Sequence, residues 1–297
     1  MELKLSSGHW LSGTALAPAK INLHLAVGKK RNDGFHDLES IFVRLPSLSD
    51  VIELSCRKAE KASCVVLGLE GLCPAGTDTL TKTVRLWCKR SGIALETRVS
   101  ITKHIPVKSG LGGGSADAAA LLSLLDSFFP ESHLMKNDLL ALALEIGSDV
   151  PFFLWDVPVA YVTGRGENVI PVETMLDGCF LLAMPDHGIV TEHAFSLLDV
   201  LPRAGFLGKD RLVAALSAPF SLWDGLFRND FCMVSGQVAL QQFRDAVARV
   251  GLDGYVSMSG SGSCCYAFMG SQVPERKEKI ELIKESLSSF TFFCCKM

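Results

Sequence analysis

Long apolar runs, a surplus of charge of either sign and paired cysteine motifs are what this 297-residue chain has little of. A formal net charge of -3, with a pI near 6.2, leaves no basic stripe of the kind that binds nucleic acid. No uninterrupted apolar run reaches the length of a membrane span, so no membrane partner is expected. The opening "MELKLSSGHWLSGTALAPAK" has no basic region followed by an apolar one, so a secretory leader is not expected and the cytoplasm is. None of the ten cysteines falls in a CxxC spacing. Cys264-Cys265 and Cys294-Cys295 lie in strand-like segments, where neighbours point to opposite faces, which suits neither a shared zinc nor a disulfide. Buried, reduced thiols acting as small hydrophobes are the expectation.

What is present is an irregular alternation of strand and helix patterns, which argues for an α+β fold over a doubly wound sheet. "AKINLHLAV" alternates with period two: Ile21, Leu23, Leu25 and Val27 share one face, and Lys20, Asn22 and His24 the other. "VIELSC", "SCVVLGLE", "RVSITKHI" and "VAYVTG" are further strands. A helix capped by Thr77 or Asp78 carries Leu80, Val84 and Trp87 and stops at Gly92. "SADAAALLSLLDSFF" reads as a helix with Ser115 as its N-cap. "NDLLALALEIG" reads as another, capped by Asn137 and closed by a left-handed Gly147, after which Pro151 favours extended chain. A second half opens at "CFLLAMPD" and runs through helices near 191–200, 209–217 and 237–250, the strands "GYVSMS" and "CCYAFM", the helix "PERKEKIELIKESL" and the strand "FTFFCCK". The expected division is 1–176 and 177–297.

Four glycines fall within Gly110–Gly114, directly ahead of an alanine-rich helix. Glycine loses more backbone freedom on folding than any other residue, so this density calls for a reason. Without Cβ atoms, several backbone N–H groups can converge at a helix start, where the helix dipole adds positive potential. That is a phosphate site; a tight structural turn is the alternative. No Gly-Lys-Ser/Thr closes the loop as in a Walker A motif. The dinucleotide fingerprint also fails, since Ser115 stands where its last glycine belongs.

Three segments, "APAKINLHLAVGKKRNDGFHDLESIF", "PVKSGLGGGSADAAALL" and "MSGSGSCCYAF", occur in an order and at separations that resemble the GHMP kinase superfamily. "PAKINL…DGFH" and "IGSDVPFF" narrow the resemblance to its branch acting on 4-diphosphocytidyl-2-C-methyl-D-erythritol. The resemblance implies a two-domain fold with the active site in the cleft between an N-terminal ATP-binding domain and a C-terminal GHMP-type domain. It also implies transfer of the γ-phosphoryl group of ATP, with Mg²⁺, to the 2-hydroxyl of that small molecule, in the non-mevalonate route to isoprenoids. Lys20 and Asp149 are the implied catalytic pair, with Asp149 taking the hydroxyl proton and Lys20 stabilising developing charge. A helix-end aspartate and a solvated strand lysine are the alternatives for these two.

ATP would lie on Pro106, Val107, Lys108, Ser109, Gly110, Leu111, Gly112, Gly113, Gly114, Ser115 and Ala116. Gly260, Ser261 and Gly262 form a loop on the phosphate side, and Ser115 is a candidate for Mg²⁺ through water. The substrate set is Asn22, Phe35, His36, Thr191 and Phe195, with Phe35 and Phe195 sandwiching the cytosine and His36 reading its polar edge. "GRGE", Gly164–Glu167, also matches the family and has no assigned task. Two departures stand out: Phe35 replaces the usual tyrosine, and "SADAA" replaces "SSNAA", which puts Asp117 near the phosphates, as a metal aid or a helix-start charge. A monomer or weak homodimer is expected. A mevalonate- or homoserine-type kinase, a dinucleotide-dependent oxidoreductase and a non-catalytic nucleotide-binding regulator are the competing readings.

Overall fold

The structure, a computed structural model, describes residues 9–132, 134–186, 191–202 and 204–297, without the side chains of 191–193. It has two compact units that interleave along the chain. One takes the described part of Met1–Ala19, Ser49–Ile105 and Gly113–Asp156; the other takes Lys20–Leu48, Pro106–Gly112 and the described part of Val157–Met297. The chain crosses between them inside strands β1 (Leu11–Lys30) and β2 (His36–Lys58) and at both ends of the glycine loop, so the units do not divide at residue 176.

In the first unit, β3 (Ser63–Leu67) runs parallel to β4 (Leu95–Thr102), which pairs antiparallel with Val51–Lys58 of β2. Helices α1 (Thr79–Ser91), α2 (Gly113–Phe128), α3 (Lys136–Ile146) and α4 (Val150–Leu154) pack on one another. Helix α1 starts where Asp78 Oδ1 accepts the Thr81 N–H at 2.7 Å and ends at Gly92, whose φ of 72° only glycine adopts cheaply. Its Leu80, Val84 and Trp87 recur at helical spacing and are buried, with Trp87 tilted on Phe129 at 5.5 Å. Ala116 and Ala118–Leu122, apolar around most of the helix, are all buried, as befits a helix covered on several sides.

In the second unit, Leu38–Val43 of β2 pairs antiparallel with β5 (Val159–Gly164), and β5 with β6 (Asn168–Pro171). A separate four-stranded antiparallel sheet has the order β10 (Phe290–Lys296), β7 (Gly178–Pro185), β9 (Cys265–Gly270), β8 (Tyr255–Met258). Helices α7 (Gln237–Arg249) and α8 (Arg276–Ser286) cover it, packing Phe243, Val247 and Ile283 on Leu181 and Ala267. Helix α5 (Thr191–Leu198) buries Ala194 and Leu198 against Leu25 and Val27 of β1, and α6 (Lys209–Leu216) follows it. All ten cysteines are free thiols, but not all are buried as expected: Cys64, Cys73 and Cys232 are half-buried and Cys294 is exposed, whereas burial raises the pKa of Cys264 and of Cys265, the latter to about 12.

Some local expectations give way. Helix α2 begins at Gly113, so Ser115 lies inside its first turn and is not the N-cap. Helix α3 begins a residue before Asn137, and it is Asp138 that reaches back to the Met135 N–H, at 3.1 Å. Gly147 is extended, with φ -175°, and closes α3 through its N–H to Ala143 O at 3.0 Å. Residues 150–154 are helical because Pro151 sits in a first turn, where its missing N–H is not needed.

Candidate functional site

In the second unit the three sequence motifs meet. Lys20 of β1 is only 4% exposed, and its Nζ donates to Asn22 Oδ1 at 2.7 Å and lies 4.7 Å from the centre of the Phe42 ring. The same Oδ1 accepts the Gly260 N–H at 3.0 Å, while Asn22 Nδ2 donates to Ser40 Oγ at 2.9 Å. Ser40 in turn donates to the His24 carbonyl. The Asn22 backbone carbonyl accepts from Tyr266 OH at 3.0 Å. Asn22 therefore uses its amide within the protein, fixing one position for the Lys20 ammonium.

The loop 106–112 is tied to the same framework. Ser109 Oγ donates to Pro106 O at 2.7 Å and accepts the Leu111 N–H at 3.3 Å, while Lys20 N donates to Leu111 O at 2.9 Å. Ser259 Oγ donates to Gly110 O at 2.9 Å, and the Cys264 N–H donates to Ser109 O at 3.0 Å. Gly110 has φ +81°, and a Cβ there would stand 2.3 Å from Ser259 O; one on Gly260, at φ +58°, would stand 3.2 Å from Gly110 Cα. Two backbones touch with no room for side chains, which is why glycine stands on both. Val107 and Lys108 are exposed.

His24 is fully buried and accepts the Arg228 N–H at Nδ1, 3.3 Å away. Burial, with Arg228 adding to it, pushes its pKa down to about 3, so it is neutral.

In the first unit, α2 opens with Gly113 half-buried, Gly114 exposed and Ser115 half-buried, whereas the Ala116 side chain is in the core. Its free N–H groups suit an anion. Asp117 lies past the first turn of this helix and turns inward. It is 3% exposed and shares Lys103 Nζ, 2.8 Å away, with Asp50, whose Oδ1 also takes the His104 and Ile105 N–H groups at 2.5 and 2.7 Å. Burial pushes Asp117 up to about 7, although Lys103 pulls the other way; burial also opposes the Lys103 charge, but the two carboxylates outweigh it and raise its pKa. Asp149 is half-buried at the start of α4. Lys20 belongs to one unit and Asp149 to the other.

The "DGFH" turn, in the second unit, closes through the Arg31 N–H to Phe35 O at 2.7 Å, with Gly34 at φ +85° and Asp33 Oδ1 taking the Phe35 N–H at 3.1 Å. Phe35 is 45% exposed, and the Arg165 guanidinium lies 3.6 Å from its ring centre, which gives "GRGE" a contact that the sequence did not reveal. His36, 8% exposed, stacks on Phe195 at 5.0 Å and 18°, and its Nε2 lies 2.8 Å from Asp199 Oδ1. Phe195 thus faces His36 and, edge to face at 4.8 Å, Phe231. The Thr191 side chain lies outside the described residues. Ser261 and Gly262 follow Gly260 in the loop beside Asn22; Ser261 O accepts from Ser235 Oγ at 2.9 Å. Among the described residues no group of three His, Cys, Asp or Glu side chains gathers as a metal cage, and no helix is long and apolar enough to cross a membrane.

Comparison with known proteins places this geometry. Residues 78–157 match the GHMP kinases N-terminal domain. A 4-diphosphocytidyl-2-C-methyl-D-erythritol kinase of Solidesulfovibrio magneticus is 35% identical over 259 residues, 84% of this chain and 86% of that one. The kinase of the same name from Mycobacterium bovis is 35% identical over 266 residues, 86% and 81% of the two chains. A crystal structure of 4-(cytidine 5'-diphospho)-2C-methyl-D-erythritol kinase superposes with a TM-score of 0.73 at 26% identity, covering 95% of this chain and 98% of the other. A homoserine kinase from Cytophaga hutchinsonii, at 18% identity and TM-score 0.67, covers 100% of this chain and 97% of its own, and shares the fold. With identity of this level running through nearly the whole chain, and the fold and ordered motifs in agreement, the chain belongs to the 4-diphosphocytidyl-2-C-methyl-D-erythritol kinase family of GHMP kinases.

Proposed function

We propose that the chain transfers the γ-phosphoryl group of ATP to the 2-hydroxyl of 4-diphosphocytidyl-2-C-methyl-D-erythritol, giving the 2-phosphate and ADP. The observation that carries this is the convergence of "PAKINL", the glycine loop and "MSGSGS" on the Lys20–Asn22 hydrogen bond, in a chain whose relatives bear that kinase name. Phosphoryl transfer asks the protein for positioning and charge stabilisation more than for covalent chemistry. Asp149 accepts the proton of the 2-hydroxyl as its oxygen bonds to the γ-phosphorus and the bond to the β-phosphate oxygen breaks. Lys20, held by Asn22, stabilises the charge that develops on the oxygens; Asn22 acts on the substrate through Lys20. The N–H groups of the glycine loop and of the α2 start hold the triphosphate. Phe35 stacks on the cytosine, with His36 and Phe195 beside it.

Mg²⁺ fits this arrangement as a companion of the nucleotide. Asp117 is committed to Lys103, so Ser115, in the first turn of α2, is the residue that would meet the hydrated ion, which would offset charge on the phosphates. The enzyme works in the cytoplasm as a monomer or weak homodimer.

The test is incubation of the purified chain with ATP and the cytidyl substrate, followed by ³¹P NMR for the new 2-phosphate and by ADP release. Homoserine and mevalonate run as competing acceptors. The expected result is turnover of the cytidyl substrate alone; faster turnover of either other alcohol refutes the proposal.

A further inference from the structure

Helix α5 ends in a pair that closes on one side chain. Phe195 and Asp199 are four residues apart and joined by the Asp199 N–H to Phe195 O bond of 3.1 Å, so both side chains leave the same helical face. Phe195 lies nearly parallel to the His36 ring at 5.0 Å, and Asp199 Oδ1 meets its Nε2 at 2.8 Å. The imidazole is held by its face and by one edge. Its orientation is therefore set, and with only 7% of the side chain exposed it has little room to turn over.

We infer that Asp199 is a positioning residue that selects an amino-bearing pyrimidine, cytosine over uracil, by fixing the tautomer of His36. The inference rests on the reading of His36 as the residue that faces the substrate's base. A carboxylate can only accept, so in the neutral imidazole the proton sits on Nε2 and the lone pair on Nδ1. With Nε2 committed to Asp199, Nδ1 is the acceptor that the ring has left to offer. A lone-pair acceptor pairs with the exocyclic 4-amino group of cytosine and repels the 4-carbonyl of uracil. Stacking on Phe35 cannot make this distinction, since both bases offer similar faces to the ring. A site built around such a hydrogen bond discriminates more strongly than one built on shape alone.

The test uses the full chain at pH 8 with CDP and UDP as probes, without ATP. Calorimetry of the unaltered protein is expected to show CDP binding at least about tenfold tighter than UDP, because uracil leaves a polar contact mispaired. Asp199→Ala is expected to shrink that ratio about fivefold or more, while Asp199→Asn, which retains an acceptor oxygen, holds it closer to the original. Long-range ¹H–¹⁵N spectra, with His36 assigned by His36→Gln, are expected to show the proton on Nε2. Equal affinity for the two nucleotides overturns the inference. So does an Asp199→Ala protein that loses affinity for both in equal proportion, or a spectrum with the proton on Nδ1. If Asp199→Ala does not fold, the spectrum of the unaltered protein decides. The kinase assay on the same preparation separates this from the parent reading: turnover of the cytidyl substrate with an unchanged nucleotide ratio removes only the role of Asp199.

Discussion

Replacing Gly110 by alanine tests whether the glycine loop is shaped by backbone contact with the 259–262 loop. Two costs follow from the geometry. At φ +81° an L-residue pays about 1–2 kcal/mol for the left-handed conformation. The added Cβ would stand 2.3 Å from Ser259 O, a backbone atom, so one loop must retreat by roughly 1 Å to reach ordinary contact. Ser259 is anchored by its N–H to Cys264 O at 2.9 Å and by its Oγ to Gly110 O at 2.9 Å. Loss of one or two such bonds adds about 1 kcal/mol each. The expected destabilisation is roughly 3–7 kcal/mol when overpacking is included, together with a raised KM for ATP.

Gly76→Ala is the control, because Gly76 has φ +78° and nothing within 4 Å of its would-be Cβ. It carries the conformational penalty without the collision. Urea unfolding midpoints of the two variants, with ATP kinetics on the same samples, separate the two costs. If Gly110→Ala matches Gly76→Ala in stability and leaves the KM for ATP unchanged, the contact does not shape the loop.

Asp117→Asn changes the pH dependence of stability. Folding carries this carboxyl from its ordinary 3.8 up to about 7, so the unfolded chain releases the proton first and stability falls between pH 4 and 7, then levels. The fall is worth at most roughly 4 kcal/mol, and the Asn variant should lack it; parallel melting curves against pH would refute the assignment. Asp149→Asn should retain ATP binding but lower kcat by about 10²–10⁴, the range for a general base, and near-normal turnover in a steady-state assay would end that role. Phe35→Ala should raise the KM for the cytidyl substrate more than it lowers kcat, as loss of a stacking surface does. An unchanged KM would remove Phe35 from the site.

Much of the architecture is legible in the chain because its signals are local. Period-two alternation marks Lys20–Val27 as strand, though burial on both faces follows only from what covers it. Asp78 and Gly92 bracket α1 by cap chemistry that needs no tertiary partner. Where tertiary context competes with local preference, sequence reading slips. Ser115 has the chemistry of a cap, but the helix starts two residues earlier, at Gly113. Pro151 disfavours helix before it, but is tolerated in a first turn, and α4 forms. The lengths of β1 and β2, 20 and 23 residues, exceed what alternation marks out, since pairing with other strands sustains them.

The site divides in the same way. Residue type and order, through the family resemblance that they carry, led to the expectation that the glycines, Lys20, Asn22, Asp149 and "DGFH" serve one chemistry. Only the folded chain decided that Asn22 uses its amide on Gly260 as well as on nearby Lys20, since Gly260 lies 238 residues further along the chain. Likewise, Asp117 turned inward to Lys103 because burial leaves a carboxylate no better partner than a buried cation. The pairing of His36 with Asp199 spans 163 residues, and no periodicity or spacing announces a contact of that range.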